Sequence, residues 1–289
     1  GSRVMSELAT RPSGYKQWGT CTASPAATAG VKSDRTKDKD EGVIAHELQA
    51  ICLTTDCSPL DFIGELIDVK DAGEAKVTGE MADYVEASIN YMLDHIRPEW
   101  IRHVEYKVDV SSVIPGKNGY ADFVAYDEVK PFEIHMFDLK YGRGVKEMAE
   151  RNGEILIHAI GVVDSLTKAQ RKYVDKIIVH IVQPRLGHYD SWELNKKELV
   201  EFADQVRQKY AEVHDPALRK FVPSVQWCRF CEIKKDCRTL KDSIFAKAVL
   251  GKDAFGGVEL KDPDRMSNAE HAEMQKLNQE GMELNKALA

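Results

Sequence analysis

Apolar positions along the chain follow two different repeats, and the change from one to the other organises it. Val43, Ile44, Leu48 and Ile51 recur at helical spacing, so a helix is expected from Gly42 to Leu53 and a second from Glu80 to Ile96. The repeat then shortens to two. Val104, Tyr106, Val108 and Val110 alternate with Glu105, Lys107 and Asp109, as in a half-buried strand. Pro115-Gly116-Lys117-Asn118-Gly119 supplies a turn, and two more strands are expected at Tyr120–Tyr126 and Phe132–Lys140. A helix over Lys146–Leu166, an apolar strand at Lys176–Gln183 and a helix over Lys196–Val213 complete the pattern. Strands followed by a helix and a further strand predict an α/β sheet with a right-handed crossover.

Both ends of the chain lack this regularity. Residues 1–40 are rich in Ser, Thr, Gly, Ala, Lys and Asp and read as an irregular arm with a charged loop at Lys32–Asp40. From Ser243 charged and small residues alternate, with breaks at Gly251, Gly256-Gly257 and Pro263, so a helical or partly flexible tail is expected. The chain thus divides into an arm (1–40), a core (41–215), a cysteine-bearing segment (216–242) and a charged tail (243–289). Gly1-Ser2-Arg3-Val4 before Met5 reads as a cloning remnant, which would make Met5 the native start. With 289 residues and 43% hydrophobic composition a sizeable core is expected. No apolar run approaches the roughly 20 residues of a membrane span and no basic-then-apolar leader is visible, so a cytoplasmic location without membrane attachment is expected.

Charge narrows the functional classes. A net charge of −7 argues against a general nucleic-acid coat, which displaces counterions with a broad basic surface. It leaves room for a local basic strip, and Arg143, Lys146 and Arg151 supply one. Just before them stands Asp138-Leu139-Lys140. Residues two apart on a strand share a face, so Asp138 and Lys140 project together. Asp122, on the preceding strand, would sit beside Asp138 in a hairpin. Hard divalent ions prefer oxygen ligands, so the two carboxylates with a main-chain carbonyl, that of Leu139, form a candidate open site for Mg²⁺ or Mn²⁺. Lys140 would orient a bound water or offset developing charge. The plainer alternative is a solvated strand end.

Six cysteines in a cytosolic chain do not suggest a disulfide framework. Cys228, Cys231 and Cys237 crowd into ten residues, a spacing able to converge on one metal centre with a fourth ligand from elsewhere. Cys52 and Cys57 read as packing or surface thiols.

Three segments taken together resemble the ordered motifs of the RecB-like PD-(D/E)XK nucleases: Glu41-Gly42-x-x-Ala45-His46-Glu47-Leu48, Gly119-x-Ala121-Asp122, and Phe137-Asp138-Leu139-Lys140-Tyr141-Gly142. The likeness covers Trp18 to Arg238 and is closest to a phage-encoded branch, which Ile181-Val182-Gln183-Pro184-Arg185 also resembles. It implies a restriction-endonuclease-like α/β core, with a mixed central sheet flanked by helices and a cysteine-ligated lobe. The implied activity is a metal-dependent deoxyribonuclease, an exonuclease of phage DNA replication or recombination, with DNA and phage replication or recombination proteins as partners.

By the same resemblance His46 is a metal ligand or sits beside the metal, and Arg185 joins the DNA-binding set. Glu105 occupies a strand position where relatives often carry an acidic residue, although a solvated glutamate fits equally. Relatives often show Gln followed four residues later by Tyr after the lysine strand, where this chain has Glu154 and His158. Glu154 enters the catalytic set on that basis, with an ordinary amphipathic-helix role as the alternative. Cys21, in Trp18-Gly19-Thr20-Cys21, matches the leading cysteine of iron–sulfur relatives. A structural [4Fe-4S] cluster on Cys21, Cys228, Cys231 and Cys237 is therefore implied, with Zn²⁺ as the alternative. Other readings are a catalytically silent DNA-binding or assembly protein that keeps the fold, and a component acting only inside a helicase–nuclease assembly.

Overall fold

A computed structural model describes residues 8–31, 37–69, 73–249 and positions 279, 282 and 283. The start at Met5, most of the charged loop at Lys32–Asp40 and the tail beyond Val249 lie outside the described residues, those three positions apart. In chain order the elements are α1 (Tyr15–Trp18), α2 (Ser24–Ala27), α3 (Lys37–Thr55), β1 (Leu66–Val69), β2 (Gly73–Lys76), α4 (Gly79–Asp94), β3 (Ile101–Asp109), β4 (Asn118–Tyr126), β5 (Glu133–Leu139), α5 (Gly153–Ser165), β6 (Lys176–Gln183), β7 (His188–Asn195), α6 (Lys196–His214), α7 (Val225–Cys228) and α8 (Arg238–Val249). Short 3₁₀ turns separate several of them.

The chain divides into two compact units. The larger comprises Arg11–Ser13 and Asp34–Arg207. It is built on a five-stranded mixed sheet in the order β3-β4-β5-β6-β7, with β5 and β6 parallel and the other neighbours antiparallel. The parallel pair is joined through α5, so the expected strand–helix–strand crossover is present. Strands β5 and β6 are buried along most of their length while the outer strands β3 and β7 alternate, as expected of central and edge strands. Helices α3 and α4 pack with Phe123, Ala125, Phe137 and Leu139 into one apolar cluster. Phe123 and Phe137 are almost fully buried there, each contributing roughly 1.5–3 kcal/mol of transfer free energy. Helix α5 is buried along nearly its whole length. Helix α4 begins where Thr78 Oγ1 accepts the amide of Met81 at 3.1 Å, a side-chain N-cap.

The smaller unit comprises Gly1–Thr10, Gly14–Ser33 and Gln208–Ala289. Within it Lys220 exchanges hydrogen bonds with the α2 approach: its carbonyl accepts Ala23 N at 3.1 Å and its amide donates to Thr22 Oγ1 at 2.9 Å. Trp18 is buried and packs edge-on against Tyr15. The two distant stretches of chain are thereby fastened into one body, and the arm read as irregular carries the short helices α1 and α2.

Two expected helix starts are corrected. The helix expected from Gly42 already runs from Lys37. The helix expected from Lys146 begins only at Gly153, because Arg151 has a φ of 53°, a left-handed conformation that stops helix propagation, and Asn152 is extended. The β1–β2 hairpin and strand β7 were not anticipated. Among the described residues no helix is long and apolar enough to cross a membrane.

Candidate metal centre

The end of β5 carries the expected pair. Lys140 Nζ donates to Asp138 Oδ1 at 3.2 Å and to Glu154 Oε2, in the first turn of α5, at 2.8 Å. Asp138 is buried, and burial pushes its carboxyl well above the usual range, with Glu154 and Asp122 adding repulsion against the pull of Lys140. Burial alone would lower the lysine, but Asp138, Glu154 and Glu147 outweigh it and hold the ammonium charged. Asp138 Oδ2 lies 2.9 Å from the same ammonium without hydrogen-bond alignment, and is left a buried oxygen with no hydrogen-bond partner.

Asp122 links this cluster to a second group of ligands. Its Oδ2 accepts the amide of Leu139 at 2.8 Å and stands 3.3 Å from His46 Nδ1 on α3. His46, Glu105 and Asp122 each offer one ligand atom within 4.8 Å of the others.

A break in strand alternation brings Glu105 there. Val104 and Phe123, paired across β3 and β4, belong to the α3–α4 cluster, whereas Val108 and Gly119, paired further on, meet Gly161 and His158 of α5. Strict alternation would put all four on one face. The register runs without insertion, yet no pairing forms between Glu105 and Asp122, and Glu105 has a φ of 48°. The pleat changes face at this point, so both carboxylates leave the ladder toward His46. Such a conformation for a non-glycine residue costs of order 1–3 kcal/mol and persists only where surroundings enforce it. Glu105 is an exposed residue overall, but its carboxyl end is crowded. Burial, then Asp122 and Glu47, push it up to about 7.

The donor set suits a hard divalent cation. It offers two carboxylates and one imidazole, and the crowding that raises the Glu105 carboxyl is what a positive ion there would relieve; Asp138 stands outside this group, its Oδ2 facing the Lys140 ammonium. His158 does not join it. Its ring lies buried on β4, where a Cβ on Gly119 would stand 2.7 Å from Nε2 and closer still to Cδ2, which accounts for glycine at that motif position. Burial lowers the His158 pKa, so the ring is neutral.

The expected cations divide into two kinds. Lys146 and Arg151 are exposed on the segment between β5 and α5. Arg143 is exposed but paired with Glu80 of α4. Arg185 is the correction: only 9% of its side chain is exposed, its guanidinium pairs with Glu41 at 2.8 Å and lies 4.8 Å from the Tyr141 ring centroid. It ties α3 to the end of β5 instead of presenting a surface charge.

In the smaller unit Cys21, Cys228, Cys231 and Cys237 line one cleft with Trp227, Val222 and Leu240. All four are half-buried free thiols. Burial raises the pKa of Cys21, Cys228 and Cys231, and their mutual proximity adds to it. Among the described residues no three of their sulfur atoms come within 4.8 Å of one another. Cys52 is buried in the α3–α4 cluster and Cys57 is exposed, as expected.

His188 and Asp190 escaped the sequence reading, and Gln183 entered it only as part of the Ile181–Arg185 segment, with no role attached. They bind backbone atoms of the segment between Lys140 and Glu154, and nothing in composition or spacing marks them. Over residues 9–286, almost the whole sequence, the chain matches the family described as Protein of unknown function (DUF2800), and it belongs to that family.

Proposed function

We propose that the protein is a divalent-metal-dependent deoxyribonuclease of the RecB-like PD-(D/E)XK class, acting as an exonuclease. The observation that carries this reading is the placement of two adjoining clusters at the end of β5, the Asp138–Lys140–Glu154 charge cluster and the His46–Glu105–Asp122 ligand group, with Asp122 also bound to the Leu139 amide. Asp122, His46 and Glu105 would hold Mg²⁺ or Mn²⁺, with Asp138 and the Leu139 carbonyl as the further ligands that the resemblance implies. A bound divalent ion supplies a water of lowered pKa and Lewis acidity toward phosphate oxygens.

The chain's own residues do the rest. Lys140, held as an ammonium between Asp138 and Glu154, is a fixed donor for a non-bridging phosphate oxygen as negative charge accumulates there. A preorganised donor of this kind accounts for roughly 10²–10³ in rate. Since its proton is held firmly, Lys140 acts by charge and hydrogen bonding, not as a base. Glu154 fixes the ammonium in place.

In the smaller unit the same reading assigns Cys21, Cys228, Cys231 and Cys237 a structural [4Fe-4S] cluster. Tetrahedral zinc at about 2.3 Å would need sulfurs about 3.8 Å apart. A [4Fe-4S] cluster would take one cysteine on each iron.

The test is degradation of end-labelled single- and double-stranded DNA by wild type and Asp138→Asn, with Mg²⁺, Mn²⁺ or EDTA. Wild type should degrade DNA only with metal and the variant should not. Equal degradation by both, or none by wild type, rejects the reading. Anaerobically purified protein should be brown, whereas colourless zinc-bearing protein rejects the cluster.

A further inference from the structure

The irregular segment from Tyr141 to Asn152 leaves the site at Lys140 and returns to it at Glu154, two residues 2.8 Å apart. Structureless connections this long are uncommon in compact domains and usually functional. This one is held rigidly by its backbone. Gln183 Oε1 accepts the Glu147 amide at 2.7 Å while Gln183 Nε2 donates to the Val145 carbonyl at 3.2 Å. His188 Nε2 donates to the Glu147 carbonyl at 2.7 Å, Asp190 Oδ2 accepts the Ala149 amide at 2.7 Å, and Asn152 Nδ2 donates to the Met148 carbonyl at 3.3 Å. Arg151 closes the loop with its positive φ.

This frame presents both apolar and charged side chains outward beside the site. Val145 and Met148, apolar side chains that packing would ordinarily bury, stand 51% and 56% exposed. Lys146 and Arg151 flank them, exposed and free of any ion pair among the described residues, with Glu147 and the exposed Glu150 set between the two cations. Cations interleaved with apolar contact surface match a nucleic-acid strand whose bases are unpaired, because such a strand offers phosphates and base faces together whereas a duplex hides its bases.

We propose that the 141–152 loop is a platform for an unpaired strand end. Val145 and Met148 contact the nucleobases nearest the scissile phosphate, and Lys146 and Arg151 hold the flanking phosphates. The protein therefore selects single-stranded or frayed ends over closed duplex. This inference rests on the nuclease reading and names the substrate form for the same site.

The experiment measures binding of the full chain, in EDTA so that no hydrolysis occurs, to a fluorescein-labelled oligothymidylate, an abasic strand of equal length and a blunt duplex. Wild type should prefer oligothymidylate. Val145→Ser/Met148→Ser should bind it about tenfold more weakly, the effect of losing part of the apolar area that two aliphatic side chains bury on a base, yet bind the abasic strand as wild type does. Lys146→Gln/Arg151→Gln should lower the slope of log K against log salt by about 1.4, since a single strand loses about 0.7 per phosphate contact. All four side chains are exposed, and unchanged thermal unfolding of the variants checks that folding is intact. If wild type binds no DNA, the nuclease reading fails and this inference with it. If wild type binds DNA but the apolar variant weakens all three ligands equally, or none, the platform alone is overturned.

Discussion

At the scale of single residues, Glu105 carries a cost that a bound cation would offset. Its φ of 48° and its carboxyl, pushed up to about 7 by burial and by Asp122 and Glu47, are unfavourable in the metal-free protein. Glu105→Gln should therefore raise metal-free thermal stability at pH 8, by about 1 kcal/mol once solvent screening of this exposed residue is allowed for. Saturating Mn²⁺ should reverse the order, because a ligand at a hundred times its dissociation constant adds about 2.7 kcal/mol to whichever protein binds it. Thermal unfolding of both proteins with and without Mn²⁺ decides this, and an equal Mn²⁺ shift in the two would remove Glu105 from the ligand set. Gly119 makes the complementary case, in which a side chain would be too many. Gly119→Ala drives a Cβ into the His158 ring, and overpacking at a rigid position costs about 1–3 kcal/mol. In the background of His158→Ala the same change should cost little, so urea unfolding of the four proteins should give a coupling energy close to the whole penalty.

At the scale of elements, the loop between β5 and α5 draws its order from β6 and β7. Gln183 is buried and supplies two of the hydrogen bonds. Gln183→Leu should speed amide exchange at Glu147 by roughly tenfold or more while leaving the β5 and β6 amides protected, because a loop can open without the sheet. Equal acceleration throughout would mean that Gln183 serves global stability. The same loop shows where the sequence was legible. Asp138 and Lys140 could be placed on one face because alternation holds along β5. Glu105 could not, because the reversal of the pleat at Asp122 is produced by tertiary packing, with no glycine or proline to announce it. Helical spacing through Lys146–Leu166 extended the expected helix backward, where the side chains of Gln183, His188 and Asp190 claim the backbone instead. Strand β7 alternates cleanly from His188 to Asn195, but its polar outer face resembles a loop in composition. Arg185 entered the DNA-binding set by resemblance, and its pairing with Glu41 on α3 could not be inferred from a motif.

At the scale of the whole molecule, the sheet that positions the metal centre also holds a set of neutral rings. His180 on β6 lies between Phe137, stacked 4.2 Å away, and Tyr91 of α4, whose hydroxyl is 3.1 Å from Nδ1; its Nε2 is 3.1 Å from Nδ1 of His135. His95 flanks the same ring and Lys176 acts on His135 from β6. Burial, reinforced by these neighbours, lowers His180 to about 3 and His135 to about 4. The unfolded chain binds protons at these histidines near 6.5, well above the folded protein. Between 6.5 and about 4 the unfolded state thus holds more protons, and stability must fall as pH falls. The contribution is complete above 6.5, and at pH 5 its loss amounts to about 2 kcal/mol per histidine. Glu105 works in the opposite direction, since its raised pKa makes the folded protein the better proton acceptor as pH drops through 7. A single stability curve would mix the two, so the histidine effect is read from a difference. His180→Phe keeps a ring against Phe137 but cannot titrate. It should be less stable than wild type at pH 8, where it leaves the Tyr91 hydroxyl and His135 Nδ1 without their partner, and should close most of that gap at pH 5. Urea unfolding in EDTA at the two pH values measures the gap, and a gap that stays constant would show that His180 is not the group whose neutrality the fold requires.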